Sequence, residues 1–318
     1  MKNKIKNSKI LVTGGAGFVG SHLVEKLLLS KPDKIYIIDN LFRGKLENIS
    51  QFKDNSRVEF YRDDIQNTNL VDKLMKKADY CFHMAALRIN ACAANPRDGF
   101  EVMVKATFNL VESAKKYKLK KLIYSSSASI YGLAQKFPTP ESNNPYDNQT
   151  FYGAAKLFGE QLLRSYHYMY GLDYIALRYF NIYGPKMDRD GKYTEVLIKW
   201  LECIKNNTNP IIKGNGSTTM DFIFVDDVVN ANILALQSDK TDEVFNVGSG
   251  KETSLKELLI KALKVNNSKL LPVFTDENVV NPVKRRLADI KKAKKILGFK
   301  PKISLEKGLK KLSQWYFE

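Results

Sequence analysis

A glycine-rich turn stands between a short β-branched run and the start of a helical pattern. Lys9-Ile10-Leu11-Val12-Thr13 is followed by Gly14-Gly15-Ala16-Gly17-Phe18-Val19-Gly20. Glycine permits a tight turn, lets backbone approach a pyrophosphate and allows close helix-on-sheet packing. The helix N-terminus adds unpaired N–H groups and the positive end of a dipole. The spacing reads either as Gly15-x-Gly17-x-x-Gly20 or as Gly14-x-x-Gly17-x-x-Gly20, and predicts a dinucleotide-binding βαβ unit. Asp39 ends the second strand pattern, 19 residues after Gly20. A carboxylate there accepts hydrogen bonds from ribose hydroxyls and repels a 2′-phosphate, which selects NAD over NADP. Arg43, close in sequence, is the feature that would favour NADP, and the competing reading makes Asp39 a plain turn residue.

Further runs continue the alternation. Strand patterns cover Lys9–Thr13, Lys34–Asp39, Arg57–Tyr61, Tyr80–Met84, Lys121–Ser126 and Tyr174–Tyr179, with helical spacing over Phe18–Leu29, Asn69–Lys76, Arg97–Tyr117 and Phe151–Tyr170. The expected fold class is α/β, a Rossmann-type doubly wound parallel sheet with a smaller α+β C-terminal substrate domain. After Gly184-Pro185 regularity falls: a helix over Tyr193–Asn206, a strand at Ile211-Ile212 and a turn at Gly214-Asn215-Gly216. The strand Phe222–Val225, the helix Asp226–Gln237 and the strand Val244–Val247 are expected to return to the first sheet. The domain reading is therefore 1–180 for NAD, with 222–250 returning to it, and 181–221 with 251–318 for the substrate.

Composition decides between classes of partner. The 318 residues include 51 Lys+Arg and 34 Asp+Glu, a formal charge of +17, which raises the question of nucleic acid. The lysines are scattered, and the densest runs, at 115–121 and 291–295, read as solvated helix faces and ends, so no nucleic-acid partner is expected. No apolar run reaches the roughly 18 residues that a membrane span requires. Cys81, Cys92 and Cys203 are isolated, without metal-type spacing, and fit a reducing compartment. The basic start Met1–Lys9 runs into Ile10-Leu11-Val12, too short for a signal h-region, so a soluble cytoplasmic protein without metal is expected.

Tyr-x-x-x-Lys occurs twice. Tyr117/Lys121 straddles a helix end and a strand, so the spacing does not hold both groups on one face. Tyr152/Lys156 opens a helix, where residues four apart project from one side. A phenol with a pKa near 10 is a poor base at neutral pH, and a nearby ammonium stabilises the phenolate.

With these landmarks the chain resembles the extended short-chain dehydrogenase/reductase family, in its nucleotide-sugar epimerase and dehydratase branch, from Lys9 to about Trp315. The landmarks are Thr13–Gly20, Asp64-Ile65, His83–Ala86, Ser125–Gly132, Tyr152–Lys156, Arg178–Pro185 and Asp221-Phe222 with Val225–Asp227. The resemblance implies Ser127, Tyr152 and Lys156 as catalytic. Gly14, Gly17, Phe18, Val19, Gly20, Asp39, Asn40, Asp64, Ile65, Ala85, Ala86, Ser125 and Tyr179 join Tyr152 and Lys156 around NAD. Arg88, Ser127, Asn181, Lys213, Arg285 and Arg286 are the expected contacts of a nucleotide-diphosphate sugar. His83 reads as a packed strand residue. The family's dimer implies a homodimer through the helices Arg97–Tyr117 and Phe151–Tyr170.

Residues after the serine discriminate among reactions. Related dehydratases carry Thr-Asp-Glu there, and related decarboxylases a glutamate near Ser129 or Ile130; Ser127-Ala128-Ser129 has no carboxylate. The remaining set resembles that of C4 epimerases. There Tyr152 takes the 4-OH proton, hydride passes to NAD, the 4-keto sugar turns over and hydride returns to its other face. A C4 dehydrogenase that releases the keto product is the second reading, and a non-catalytic NAD-binding scaffold comes from another class. Two positions depart from the family: Met220 stands where an arginine usually precedes Asp-Phe, and Lys213 stands where an aromatic usually precedes the Gly-x-Gly turn. Lys213, Arg285 or Arg286 is the candidate replacement for the missing charge, and the base is left open between uridine and guanosine.

Overall fold

A computed structural model describes residues 3–189, 195–276 and 283–318. Its main sheet has seven parallel strands: β1 (Lys9–Thr13), β2 (Lys34–Ile38), β3 (Val58–Tyr61), β4 (Tyr80–His83), β5 (Lys121–Ser127), β6 (Tyr174–Tyr179) and β7 (Glu243–Val247). They lie in the order β7-β6-β5-β4-β1-β2-β3. Side chains alternate across the sheet, as strand geometry requires. Ile10 and Val12 enter one core with helices Phe18–Leu28 and Val225–Gln237, whereas Leu11 enters the other, with helices Thr68–Met75, Ala106–Lys116 and Phe151–Tyr170. Both faces are covered, which is why β1, β2 and β6 read as nearly unbroken apolar runs. Strand order reverses between β1 and β4, so a crevice opens at their C-terminal ends.

The helix Phe151–Tyr170 has the expected bounds for local reasons. Thr150 caps it, its Oγ1 accepting from Gly153 N at 3.1 Å, and Gly171 ends it at φ +71°. The expected helix Arg97–Tyr117 is instead Pro96–Phe100, a π turn over Glu101–Lys105, and Ala106–Lys116. Of the segments expected to return to the first sheet, Glu243–Val247 does so beside β6. Phe222–Phe224 pairs in parallel with Asn181–Tyr183 in a separate two-stranded sheet. The helix expected from Tyr193 is described over Val196–Lys205, and Tyr193 itself lies outside the described residues.

The second Tyr-x-x-x-Lys pair is divided between elements. Tyr117 follows a helix and donates to Asp72 Oδ2 at 3.3 Å, while Lys121 opens β5 and donates from Nζ to the carbonyls of Ser238 and Lys240 at 2.7 and 2.6 Å. Burial, helped by the charge of Lys4, lowers the Lys121 ammonium to about 8. An unfolded lysine keeps its proton to about 10.4, so between these values the unfolded state binds more protons and stability rises with pH. Urea unfolding from pH 8 to 10 is expected to show this rise, and Lys121→Met to flatten it. An unchanged slope in the variant would remove Lys121 from the account.

Candidate active site

The crevice is lined by Gly14, Gly17 and Gly20, not Gly15, which decides between the two glycine spacings. Gly14 has φ +69°, and a Cβ there would stand 2.8 Å from Ala85 N; a Cβ on Gly20 would collide with the Gly14 carbonyl oxygen. The helix Phe18–Leu28 has no side-chain cap and no acidic residue in its first turn, so the N–H groups of that turn remain for an anion. Phe18 and Val19 also line the crevice. Asp39 lines it too, with Oδ2 accepting from Ala16 N and Oδ1 from Leu41 N, both at 2.9 Å, so one carboxylate shapes the glycine turn and faces the cleft. Burial raises its pKa, against the pull of those N–H donors. Asn40 Nδ2 donates to Asp64 Oδ2 at 2.6 Å, coupling the loops after β2 and β3; Asn40, Asp64 and Ile65 all line the crevice. Arg43 Nη2 lies 3.4 Å from Asp188 Oδ2, committed across the cleft. A cradle that a Cβ would fill, an uncapped helix start and a carboxylate at the end of β2 fit a dinucleotide.

Ser127 ends β5 and Tyr152 stands in the first turn of Phe151–Tyr170, and the two side chains face each other across the crevice wall that both line. Ser129 N donates to Ser127 Oγ at 3.1 Å, which fixes that hydroxyl. Burial raises the Tyr152 phenol, while the nearby Ser127 hydroxyl and the charges of Arg88 and Arg286 pull it down. One turn on, Lys156 is fully buried; its Nζ donates to Ser125 O at 2.5 Å and lies 5.9 Å from the centre of the Tyr152 ring. Burial lowers the ammonium to about 7, opposed by Cys92 and Glu160. Ala85, Ala86, Ser125 and Tyr179 line the crevice, and the Tyr179 hydroxyl donates to Asn232 Oδ1 at 2.9 Å. His83 bonds Thr13 and Thr107 through its two ring nitrogens, and burial lowers it to about 3, so it is a packed strand residue.

Beneath this group lies a polar network that spacing did not reveal. Glu160 accepts from Ser126 Oγ at 2.5 Å and holds Arg178 through two bonds of 2.9 and 2.6 Å; Arg178 Nη1 donates to Tyr131 Oη at 2.9 Å. Its members sit at the ends of β5 and β6 and on the helix between them, so only the folded sheet brings them together.

A second chamber continues past Tyr152 and Ser127, lined in part by Arg88, Asn181, Met220 and Arg286. Asn181 presents a buried Oδ1 without a partner among the described residues. Arg88 contacts Glu195, and burial lowers its guanidinium to about 10. Two expected substrate contacts are corrected. Arg285 does not line the chamber, because its guanidinium is held by Glu252 at 2.7 and 2.9 Å and stacks on Phe137. Lys213 is an exposed end of the strand Ile211–Lys213, whose Ile212 is buried, and is also outside the lining. Asp188 and Glu195 line the chamber unannounced by any motif, and so does Ser129, which lies within the Ser125–Gly132 landmark but is not among the expected substrate contacts.

The profile of the NAD dependent epimerase/dehydratase family matches residues 10–248. The chain is 32% identical to a UDP-glucose 4-epimerase of Mycolicibacterium smegmatis over 311 residues, covering 97% of this chain and 98% of that protein. Among solved structures it is similar to a UDP-N-acetylglucosamine 4-epimerase from Methanobrevibacter ruminantium M1 in complex with UDP-N-acetylmuramic acid, with TM-score 0.91, 35% identity and coverage of 98% and 99%. It is likewise similar to a UDP-glucuronic acid 4-epimerase from Bacillus cereus in complex with UDP-glucuronic acid and NAD, with TM-score 0.87, 31% identity and coverage of 97% and 99%.

Proposed function

The chain belongs to the NAD dependent epimerase/dehydratase family, and from that premise we propose that it is an NAD-dependent 4-epimerase of UDP-sugars. The observation that carries this reading is that Ser127 and Tyr152, backed by Lys156, stand together at the junction of the glycine crevice and the second chamber, with no carboxylate on the Ser127-Ala128-Ser129 turn. Gly14, Gly17, Gly20 and Asp39 would hold NAD, which when bound takes a hydride from C4 and returns it. Ser127 holds the 4-oxygen, and Tyr152 removes its proton and gives it back. Lys156, near its neutral point, supplies positive charge behind the phenol. Arg88, Asn181 and Arg286 face the sugar nucleotide.

Residues 1–180, with the helix Val225–Gln237 and β7 of the returning segment 222–250, serve as the NAD unit, and 181–221 with 251–318 as the substrate unit. Among the described residues no helix is long and apolar enough to cross a membrane. That, with three free cysteines, supports a cytoplasmic location. A homodimer through helices Pro96–Lys116 and Phe151–Tyr170 is supported by their exposed Phe100, Phe108, Tyr168 and Met169, and a mass measurement in solution tests it.

Incubation with UDP-glucose, UDP-N-acetylglucosamine and UDP-glucuronate is expected to give the C4 epimer of at least one, without net NADH. A keto sugar released with stoichiometric NADH, and no epimer, would replace this reading by the dehydrogenase.

A further inference from the structure

Among the described residues Arg286 is a cation without a counter-charge in the sugar chamber. Neighbouring arginines are matched: Arg43 by Asp188, Arg88 by Glu195, Arg178 by Glu160 and Arg285 by Glu252. Among the described residues the Arg286 guanidinium reaches only Ser129 Oγ, at 3.5 Å from Nη2. Its Nε is buried with no hydrogen-bond partner, and no carboxylate among the described residues pairs with it. A buried guanidinium left this way is costly unless an anion arrives.

The side chain is also held in place. Arg286 N donates to Thr219 O at 3.0 Å, Thr139 N to Leu287 O at 2.8 Å, and Ala288 N to Asp221 Oδ2 at 3.2 Å. Asp221 further accepts from Ser249 and Gly250, so the segment carrying Arg286 is tied on both sides. From the guanidinium the path runs through Ser129 to Ser127, and Tyr152 lines the same chamber wall as these three residues. Arg286 thus lies beside the groups that grip the 4-oxygen. In a pyranose the diphosphate leaves from C1, across the ring from C4, whereas C3 and C5 adjoin C4. An anion meeting Arg286 therefore belongs to the sugar and not to the diphosphate.

We propose that Arg286 selects nucleotide sugars that carry a carboxylate on a carbon next to C4, either the C6 acid on C5 or an ether-linked acid on C3. The proposal rests on the epimerase reading for the placement of C4 at Tyr152. A planar guanidinium and a carboxylate match in a paired hydrogen-bond geometry that a hydroxymethyl group cannot supply.

Calorimetric binding to the NAD-loaded enzyme tests it, without relying on turnover. The probes are UDP, UDP-glucose against UDP-glucuronate, and UDP-N-acetylglucosamine against UDP-N-acetylmuramate. At least one acid is expected to bind roughly tenfold or more tightly than its neutral counterpart. Arg286→Met should abolish the preference and Arg286→Lys keep part of it, and the pair that responds identifies C5 or C3. The absence of any preference in the unaltered enzyme overturns the proposal, whatever the variants do. So does an equal loss for UDP, neutral and acidic sugars in Arg286→Met, which would assign Arg286 to the diphosphate. Failure to form an epimer from any sugar would instead count against the epimerase reading, and the binding preference would still be read.

Discussion

Tyr152→Phe is expected to lower kcat by about 10²- to 10⁴-fold on every accepted sugar, the usual span for removing a positioned general acid–base. The substitution deletes one oxygen and keeps the ring, so the buried site and the helix that carries it are undisturbed. Ser127 keeps the Ser129 N–H that fixes it. Binding of the UDP-sugar should therefore change far less than turnover. Steady-state rates together with calorimetric affinities make the check, and turnover within a few fold of the parent would end the assignment of Tyr152 as the proton-transfer group.

The second large effect is on stability. Arg178 and Glu160 form an ion pair with side chains 8% and 2% exposed. Burial disfavours the Arg178 charge, but the two bonds to Glu160 outweigh it and hold the guanidinium above its ordinary value. Arg178→Met leaves Glu160 buried with Ser126 alone to bond it, and is expected to cost about 3–5 kcal/mol. Arg178→Met combined with Glu160→Met should recover part of that loss, because an apolar pair leaves no buried charge behind. Denaturant unfolding of both variants reads the result. A single-variant loss below about 1 kcal/mol would show that the pair is not the anchor beneath Ser126 and Lys156.

Much of the frame was legible along the chain. Strands β1 and β6 and the helix Phe151–Tyr170 have the bounds that their sequence patterns predict, because β-branched runs, Thr150 and Gly171 act over a few residues. The π turn at Glu101–Lys105 was not legible, since it interrupts a helical pattern without changing its composition. Phe222–Phe224 was expected in the main sheet, because a short apolar strand does not reveal its partner; Asn181–Tyr183 claims it. The second Tyr-x-x-x-Lys pair shows the limit from the other side. Identical spacing fails at Tyr117/Lys121 because the helix has ended at Lys116 and Lys121 already opens β5.

By itself the sequence determined the Rossmann-type frame, the glycine cradle with Asp39, and the Tyr152/Lys156 pair. Each depends on contacts within a strand, a turn or one helical turn, where residue spacing fixes geometry. Tertiary structure alone decided which of two adjacent cations lines the second chamber. Arg285 and Arg286 are neighbours with the same side chain, but Glu252, 33 residues away, takes the first. The tied segment through Thr139, Thr219 and Asp221 turns the second into the chamber. Charge pairing over such separations depends on how the sheet and the C-terminal segments pack, and no local pattern encodes it.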